Sequence, residues 1–303
     1  MHKPSYLLVI AGPTASGKTS MAIRLAKHFK TVILSADSRQ FYRELSIGTA
    51  KPTEEERAQA PHYFIDSLSI QDDYSVGDYE RDALELLRKL FEKHPLVILT
   101  GGSGLFIKAV CEGLDEFPEV PEAVRAELEQ LLEAQGILAL QEELRLSDPT
   151  YYEQVDLHNP SRLIRALSVI RSSGLPFSHF RQQQPKPRFF TPLYTKLEMD
   201  RDLLYERINR RVDQMMKAGL LEEVRRVAPF RHLNALQTVG YQEFFDHFDG
   251  FYDLVAAVEL VKRNSRRYAK RQLTWLRKQD HWKGFASGDV EGVVRWIEGE
   301  RVW

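Results

Sequence analysis

Apolar positions along this chain fall into two rhythms. Residues 6–11 (YLLVIA) form a short unbroken apolar run, which predicts a strand buried on both faces. Over residues 19–29 the apolar side chains move to helical spacing, with Met21, Ala22, Leu25, Ala26 and Phe29 on one side. Residues 31–36 (TVILSA) predict a second strand and residues 75–91 a helix with Ser75 as its N-cap. Residues 96–100 (LVILT) predict a third strand, closed by Gly101-Gly102-Ser103-Gly104. Strands alternating with helices at this spacing predict a parallel sheet covered by helices.

The rhythm then changes. Between residues 112 and 184 no strand signal of comparable strength occurs. Residues 120–146 are rich in Glu, Leu and Ala, and Asn159-Pro160 introduces a basic helix over 161–172 that Gly174-Leu175-Pro176 ends. Gln182-Gln183-Gln184-Pro185-Lys186-Pro187 has the composition of a linker. Residues 194–199 predict another strand, 200–278 are mostly helical, and 281–303 are short and mixed. The expected architecture is α/β: a P-loop NTPase-like parallel sheet flanked by helices, formed by residues 1–112 and 190–303, with an all-helical insertion domain at 113–189.

Composition narrows the class. With 303 residues, 43% apolar and 28% charged, the chain has the material for one large domain or two smaller ones. The net charge of −1 means that any nucleic acid must be met by a local patch. The single cysteine, Cys111, forms no intrachain disulfide, no Cys/His cluster has zinc-ligand spacing, and a reducing compartment fits. The N-terminal apolar run leads straight into a glycine turn, and no run of about 18 apolar residues follows, so neither a targeting segment nor a membrane span is expected.

That glycine turn, Gly12-Pro13-Thr14-Ala15-Ser16-Gly17-Lys18-Thr19, fits G-x-x-x-x-G-K-[ST] without mismatch, between a predicted strand and a predicted helix. Backbone N–H groups in such a turn and at the helix N-terminus point at an anion, Lys18 adds a full positive charge, and the Thr19 hydroxyl can ligate Mg²⁺. The motif leaves the fate of the phosphate open. P-loop NTPases place a carboxylate at the end of a nearby strand to help hold the metal. Here that strand ends in Thr100-Gly101-Gly102, and the acid stands instead after the second strand, at Asp37. An Asp there is an ordinary turn residue, or a ligand-facing group on the side where open α/β sheets bind their ligands.

Residues 262–278 (KRNSRRYAKRQLTWLRK) carry eight Lys or Arg and no acid. On a helix, Lys262, Arg266 and Lys270 share one stripe and Arg263, Arg267 and Arg271 the next, which suits a phosphate backbone, with Tyr268 and Trp275 beneath. Lys270 and Arg271, beside Gln272, Thr274 and Trp275, are the pair expected to turn inward. A second, weaker basic element is Arg162, Arg165 and Arg171.

Taken in order, GPTASGKT, SADSRQ with Tyr42 and Ile47-Gly48-Thr49-Ala50-Lys51-Pro52, TGGSGL, RINRRVDQM with GLLEEV, TVGYQE and RRYAKRQLTWLRK resemble the tRNA dimethylallyltransferases, the IPP transferase family, over nearly the whole chain. The resemblance implies transfer of a dimethylallyl group from dimethylallyl diphosphate to N6 of the adenosine at tRNA position 37, 3′ of the anticodon, in tRNAs reading codons that begin with U. The cradle then holds a diphosphate that leaves, so no strand-end acid is required. By the same resemblance the catalytic residues are Asp37 as general base, Lys18, Thr14 and an arginine of the RINRRV block, Arg211 before Arg207. The diphosphate is held by Gly12, Pro13, Thr14, Ala15, Ser16, Gly17, Lys18, Thr19, Arg207 and Arg211, with Mg²⁺ on Thr19. tRNA contacts fall at Asp37, Ser38, Arg39, Gln40, Thr100, Arg125, Ser161, Arg162, Leu163, Ile164, Arg165, Gln237, Thr238, Val239, Gly240, Tyr241 and Gln242, with Arg263 and Arg267 from the basic stripe. The insertion would grip the anticodon stem-loop.

Small departures accompany the match. Ser103 and Phe106 stand where the family pattern has Thr and Tyr, and Gln237-Thr238 precede Val-Gly-Tyr where many members carry a basic or other polar residue. The zinc finger and transit peptide of eukaryotic members are lacking, which points to a bacterial, cytoplasmic protein; a monomer is expected. The rival from the cradle alone is a P-loop small-molecule kinase, which should show an arginine-bearing lid. A GTPase-like RNA-binding module should show N-K-x-D, which the chain lacks.

Overall fold

In the computed structural model, which describes residues 4–182 and 184–299, β1 (Tyr6–Ala11) runs through the glycine turn into α1 (Lys18–Phe29), and β2 (Ile33–Ser35) follows. After the short α2 (Glu54–Arg57) and β3 (His62–Tyr63), α3 (Val76–Phe91) leads to β4 (Leu96–Gly101) and α4 (Gly104–Glu112). Next come α5 (Glu122–Gln135), α6 (Ile137–Ser147), α7 (Pro149–Tyr152), α8 (Pro160–Ser173) and α9 (Phe177–Phe180). The chain then returns to β5 (Thr191–Glu198), α10 (Arg201–Lys217), α11 (Leu220–Val227), α12 (Gln242–Phe248), α13 (Leu254–Arg277), β6 (Lys283–Ala286) and α14 (Val290–Gly299). Gln183 of the expected linker and the last residues of the C-terminal piece lie outside the described residues.

The six strands are parallel throughout, in the order β3-β2-β4-β1-β5-β6. β1 pairs on both edges, with β4 and with β5, and all six of its residues are buried. The period of two divides it between two cores. Leu7, Val9 and Ala11 pack with Tyr79, Ala83 and Leu87 of α3, while Leu8 and Ile10 pack with Met21, Leu25 and the α14 residues Val293 and Ile297. The predicted helix after Ser75 is nucleated by a reciprocal cap: the Ser75 hydroxyl accepts from Asp78 N, and the Asp78 carboxylate accepts from Ser75 N at 3.0 Å.

The edges of the sheet depart from the pattern-based expectation, which contains neither β3 nor β6. Each is short, and each exists because a neighbouring strand offers a free edge: Ile33 opposite His62, and Thr195 opposite Lys283. β5 starts at Thr191 rather than at residue 194, since register with Tyr6 extends it over residues too polar to signal a strand.

The chain divides into two compact units, one of residues up to Cys111 and from Arg188 onward, the other Glu112–Pro187. The second unit is helical. Leu128, Leu140, Leu144, Leu163, Leu167 and Phe177 form its core. Buried Asp148 ties its far end together, accepting from Tyr151 N at 3.0 Å and from Ser178 N at 2.7 Å.

Candidate active site

The loops after β1, β2 and β4 all leave the same end of the sheet, and the residues of interest stand on them. The glycine turn after β1 is strained: Gly17 has φ 90° and Ala15 has φ 64°. A left-handed alanine costs about 1–3 kcal/mol. Packing of Ala15 against Leu204, Ile208 and Ala269 of α10 and α13 holds it there. A Cβ at Gly12 would stand 2.6 Å from Ser16 Oγ, so the loop closes that tightly only around glycine. Ser16 Oγ is buried without a hydrogen-bond partner, and the Ser16 carbonyl accepts from Ser287 Oγ at 2.7 Å. An orphaned buried hydroxyl inside a cradle suits an oxyanion.

Positive charge gathers around this loop. Lys18 Nζ donates to the Pro13 carbonyl at 2.8 Å. Burial first, then the Arg211 charge, pushes the Lys18 ammonium down to about 8, with Asp37 partly offsetting them. Arg211 Nη1 donates to Thr14 Oγ1 at 3.4 Å, and its own pKa is lowered by burial and next by Arg207. The Arg207 guanidinium lies against Met199 Sδ and beside Gly17. Arg210, between them in sequence, pairs instead with Glu206 in solvent. Three cations crowded at one strained turn suit a ligand with several negative charges.

Asp37 stands on the loop after β2. Asp37 Oδ1 accepts from Arg39 N at 3.0 Å, closing a turn of its own. Its charge is felt by Lys18, Arg39, Arg211 and Tyr268. Burial, and then Asp37, holds the Tyr268 phenol up at about 12, so that side chain stays neutral. Ser38 N donates to Ser103 Oγ at 3.2 Å, joining the loops after β2 and β4. Gln40 Nε2 donates to the carbonyls of Thr49 and Ala50. Arg39 reaches the Gln237 carbonyl at 3.5 Å, and the Thr100 hydroxyl donates to Ile10 O at 3.1 Å.

The Gln237–Gln242 segment is only partly a surface. Gln237 and Gln242 are exposed and bonded to each other, Thr238 and Val239 are half-buried, and Gly240 N donates to Glu243 at 2.8 Å. Tyr241 is fully buried, its hydroxyl donating to Glu223 at 2.7 Å. Glu223 also accepts from the N–H groups of Ser46, Ile47 and Gly48. The tyrosine of TVGYQE and the glutamate of GLLEEV thus hold the 46–48 loop, and the Tyr241 side chain presents nothing to a nucleic acid.

The basic helix splits differently from expectation. Arg263, Arg267, Lys270 and Arg271 are exposed, and a cavity of about 400 Å³ is lined by Arg267, Lys270, Arg271 and Thr274. Arg271 leans over the Tyr268 ring at 5.5 Å. Lys262 turns inward, pairing with Asp213 at 2.8 Å and Glu259 at 2.9 Å, and Arg266 bonds Asn209 at 2.6 Å. The inward pair is therefore Lys262 and Arg266, not Lys270 and Arg271. The acids that balance Lys262 come from α10 (Asp213) and from Glu259, just before the basic run.

Within the second unit, Ser161, Arg162 and Arg165 are exposed, and Arg165 stacks over Phe117 at 5.3 Å. Arg125 is exposed and paired with Glu129 at 2.9 Å. Leu163 and Ile164 are buried in the leucine core, and Arg171 is held by Glu143 at 2.6 Å, so none of these three offers a free side chain.

Three residues at the site lie outside the sequence-based set. Gln272 bonds both Thr14 N and Gly102 O, Tyr268 stands beside Asp37, and Ser287 supports Ser16. Only the block RRYAKRQLTWLRK hints at the first two.

Residues 40–279 match the profile of the family described as IPP transferase. The tRNA dimethylallyltransferase of Christiangramia forsetii is 52% identical over 281 residues, which is 93% of each chain. That of Cytophaga hutchinsonii is 47% identical over 295 residues, 97% of each. The crystal structure of the tRNA isopentenylpyrophosphate transferase of Bacillus halodurans matches with a TM-score of 0.72 at 36% identity, covering 97% of this chain and 96% of its own. This chain belongs to the IPP transferase family, the tRNA dimethylallyltransferases.

Proposed function

We propose that the protein transfers a dimethylallyl group from dimethylallyl diphosphate to N6 of the adenosine at tRNA position 37, in tRNAs reading codons that begin with U. The products are N6-isopentenyladenosine and diphosphate. The observation that carries this reading is the meeting of opposite charges in one place. Lys18, Arg207 and Arg211 crowd the cradle, and the charge of Asp37, on the next loop, reaches Lys18 and Arg211. A kinase would use a carboxylate at the end of β4; Thr100 stands there, its hydroxyl engaged with Ile10 O.

In this mechanism the C1–O bond of the allylic diphosphate breaks with its electron pair passing to oxygen. Cation character develops on the prenyl group, and N6 forms the new bond to C1. Lys18, Arg211 and the cradle N–H groups stabilise the growing negative charge where it appears. Thr14 Oγ1 holds the Arg211 guanidinium in position. The exocyclic amine is a poor nucleophile, and Asp37 accepts the proton that N6 loses. The base leaves its stack to enter a site from which water is excluded.

Mg²⁺, when bound, neutralises diphosphate charge. The Thr19 hydroxyl on the first turn of α1 would hold it together with diphosphate oxygens. Among the described residues no group of three His, Cys, Asp or Glu offers an all-protein site, which fits an ion bound chiefly through its substrate.

The tRNA would be met by Asp37 to Gln40, Thr100 and the exposed Gln237 and Gln242 with the Thr238–Val239 turn around the site, and by Arg263 and Arg267 along α13. In the second unit Arg125, Ser161, Arg162 and Arg165 would grip the anticodon stem-loop. A monomeric, cytoplasmic enzyme accompanies this reading; among the described residues no helix is long and apolar enough to cross a membrane. The test is mass spectrometry of nucleosides from tRNA incubated with the protein, dimethylallyl diphosphate and Mg²⁺. Isopentenyladenosine confined to position 37 is expected; ATP turnover without it would favour the kinase.

A further inference from the structure

One face of α13 touches the loops after β1 and β4 and lies within the field of Asp37 on the loop after β2. Tyr268, Gln272 and Trp275 follow one another at helical spacing, so they share a stripe. Tyr268 meets Ser103 and the field of Asp37. Trp275 lies so close to the turn after β4 that a Cβ on Gly104 would stand 2.4 Å from its indole. Between them Gln272, buried to 8% exposure, accepts the Thr14 N–H at 2.8 Å and donates to the Gly102 carbonyl at 2.9 Å. The orientation of this amide is fixed, because a backbone N–H only donates and a carbonyl only accepts.

We propose that Gln272 is a positioning residue for the transfer reaction: it fastens the diphosphate cradle to the loop after β4 and so sets the distance between leaving group and nucleophile. The inference rests on the prenyl-transfer reading. Its physical basis is the steepness of geometry in bond-forming steps, where a displacement of about 1 Å costs roughly 10²-fold in rate. Thr14 sits in a loop already strained at Ala15, and such a loop keeps its shape only when its surroundings over-determine it. The Thr14 N–H is committed to Gln272, so the anion is directed toward Lys18 and the N-terminus of α1. The exposed side of the same helix bears Arg263, Arg267 and Arg271, which puts cradle geometry and the proposed RNA contacts on one rigid element.

The test uses Gln272→Met, which keeps the volume and removes both hydrogen bonds. We expect affinity for inorganic diphosphate, measured by calorimetry, and for dimethylallyl diphosphate to fall about tenfold or more, as loss of two buried hydrogen bonds requires. We expect kcat to fall by about 10²-fold, with KM for tRNA unchanged. Gly102→Ala attacks the same clamp from the other side, because its Cβ would stand 2.2 Å from Gln272 Nε2. It should reproduce the diphosphate defect, and adding it to Gln272→Ala should cost nothing further. Wild-type diphosphate affinity in a folded Gln272→Met protein, additive effects in the double variant, or a fall in thermal stability with unchanged diphosphate affinity would each overturn the proposal. Failure of the wild-type protein to make isopentenyladenosine would overturn the prenyl-transfer reading instead, and diphosphate calorimetry on the variants would still judge the clamp.

Discussion

The cradle and the α8 face of the second unit both present basic side chains, but they hold them in different ways. Around the cradle most polar groups are braced by another: Lys18 on Pro13, Arg211 on Thr14, Gln272 on Thr14 and Gly102, Ser287 on the Ser16 carbonyl. On α8, Arg162 and Arg165 stand exposed over a leucine core, and Arg165 is steadied by stacking on Phe117. On the proposed reading the difference separates two tasks. Stabilising a departing diphosphate needs charge at a fixed point, whereas docking an RNA backbone needs charge over an area.

The sharpest test of this contrast lies at Asp37. Asp37→Asn keeps the shape and an acceptor for Arg39 N but loses basicity. Turnover should fall by about 10²–10⁴-fold with little change in tRNA affinity, measured by single-turnover kinetics and filter binding. Near-normal turnover would reduce Asp37 to a turn residue. Next in size, Lys18→Ala should lower the rate about 10²–10³-fold and weaken dimethylallyl diphosphate while sparing tRNA binding. Equal losses on both substrates would erase the distinction between fixed and distributed charge.

A smaller effect is expected from the distributed charges. Arg263→Gln with Arg267→Gln should raise KM for tRNA and flatten its salt dependence, the slope shrinking by about 0.7–0.9 for each phosphate no longer neutralised. KM for dimethylallyl diphosphate should stay unchanged. Arg162→Gln with Arg165→Gln in the second unit should do the same. A wild-type salt slope in either pair would mark that stripe as a solvated face.

The smallest effect is a pH dependence. The Lys18 pKa is lowered to about 8, so between pH 8 and its ordinary value the unfolded chain holds a proton that the folded one lacks. In that window the group makes stability rise with pH. Diphosphate favours the ammonium, so binding above pH 8 should take up a proton and weaken as pH climbs further. Calorimetry in buffers of different ionisation enthalpy measures this directly, and absence of proton uptake would mean that Lys18 stays charged without its ligand.

Much of this protein is legible in its residue order. The β1–α1 turn, the strands β1, β2 and β4 and the Ser75 cap depend on neighbours within a few positions, and local pattern reports such dependence faithfully. The phosphate cradle and Asp37 are legible for the same reason, since each follows a strand whose apolar run is unmistakable. Tertiary structure decided what depends on distant partners. Gln272 meets Thr14 across 258 positions, and Glu223 holds Ser46 across 177. Periodicity shows which residues of α13 share a face but not which face turns inward. With Ala257, Val261, Ala269, Gln272 and Leu276 buried, Lys262 and Arg266 face Asp213 and Asn209 of α10, and Arg263, Arg267, Lys270 and Arg271 are left in solvent. The short edge strands β3 and β6 follow the same logic, because two residues in one and four in the other carry too little pattern to announce themselves, and only a neighbour's open backbone edge makes them strands.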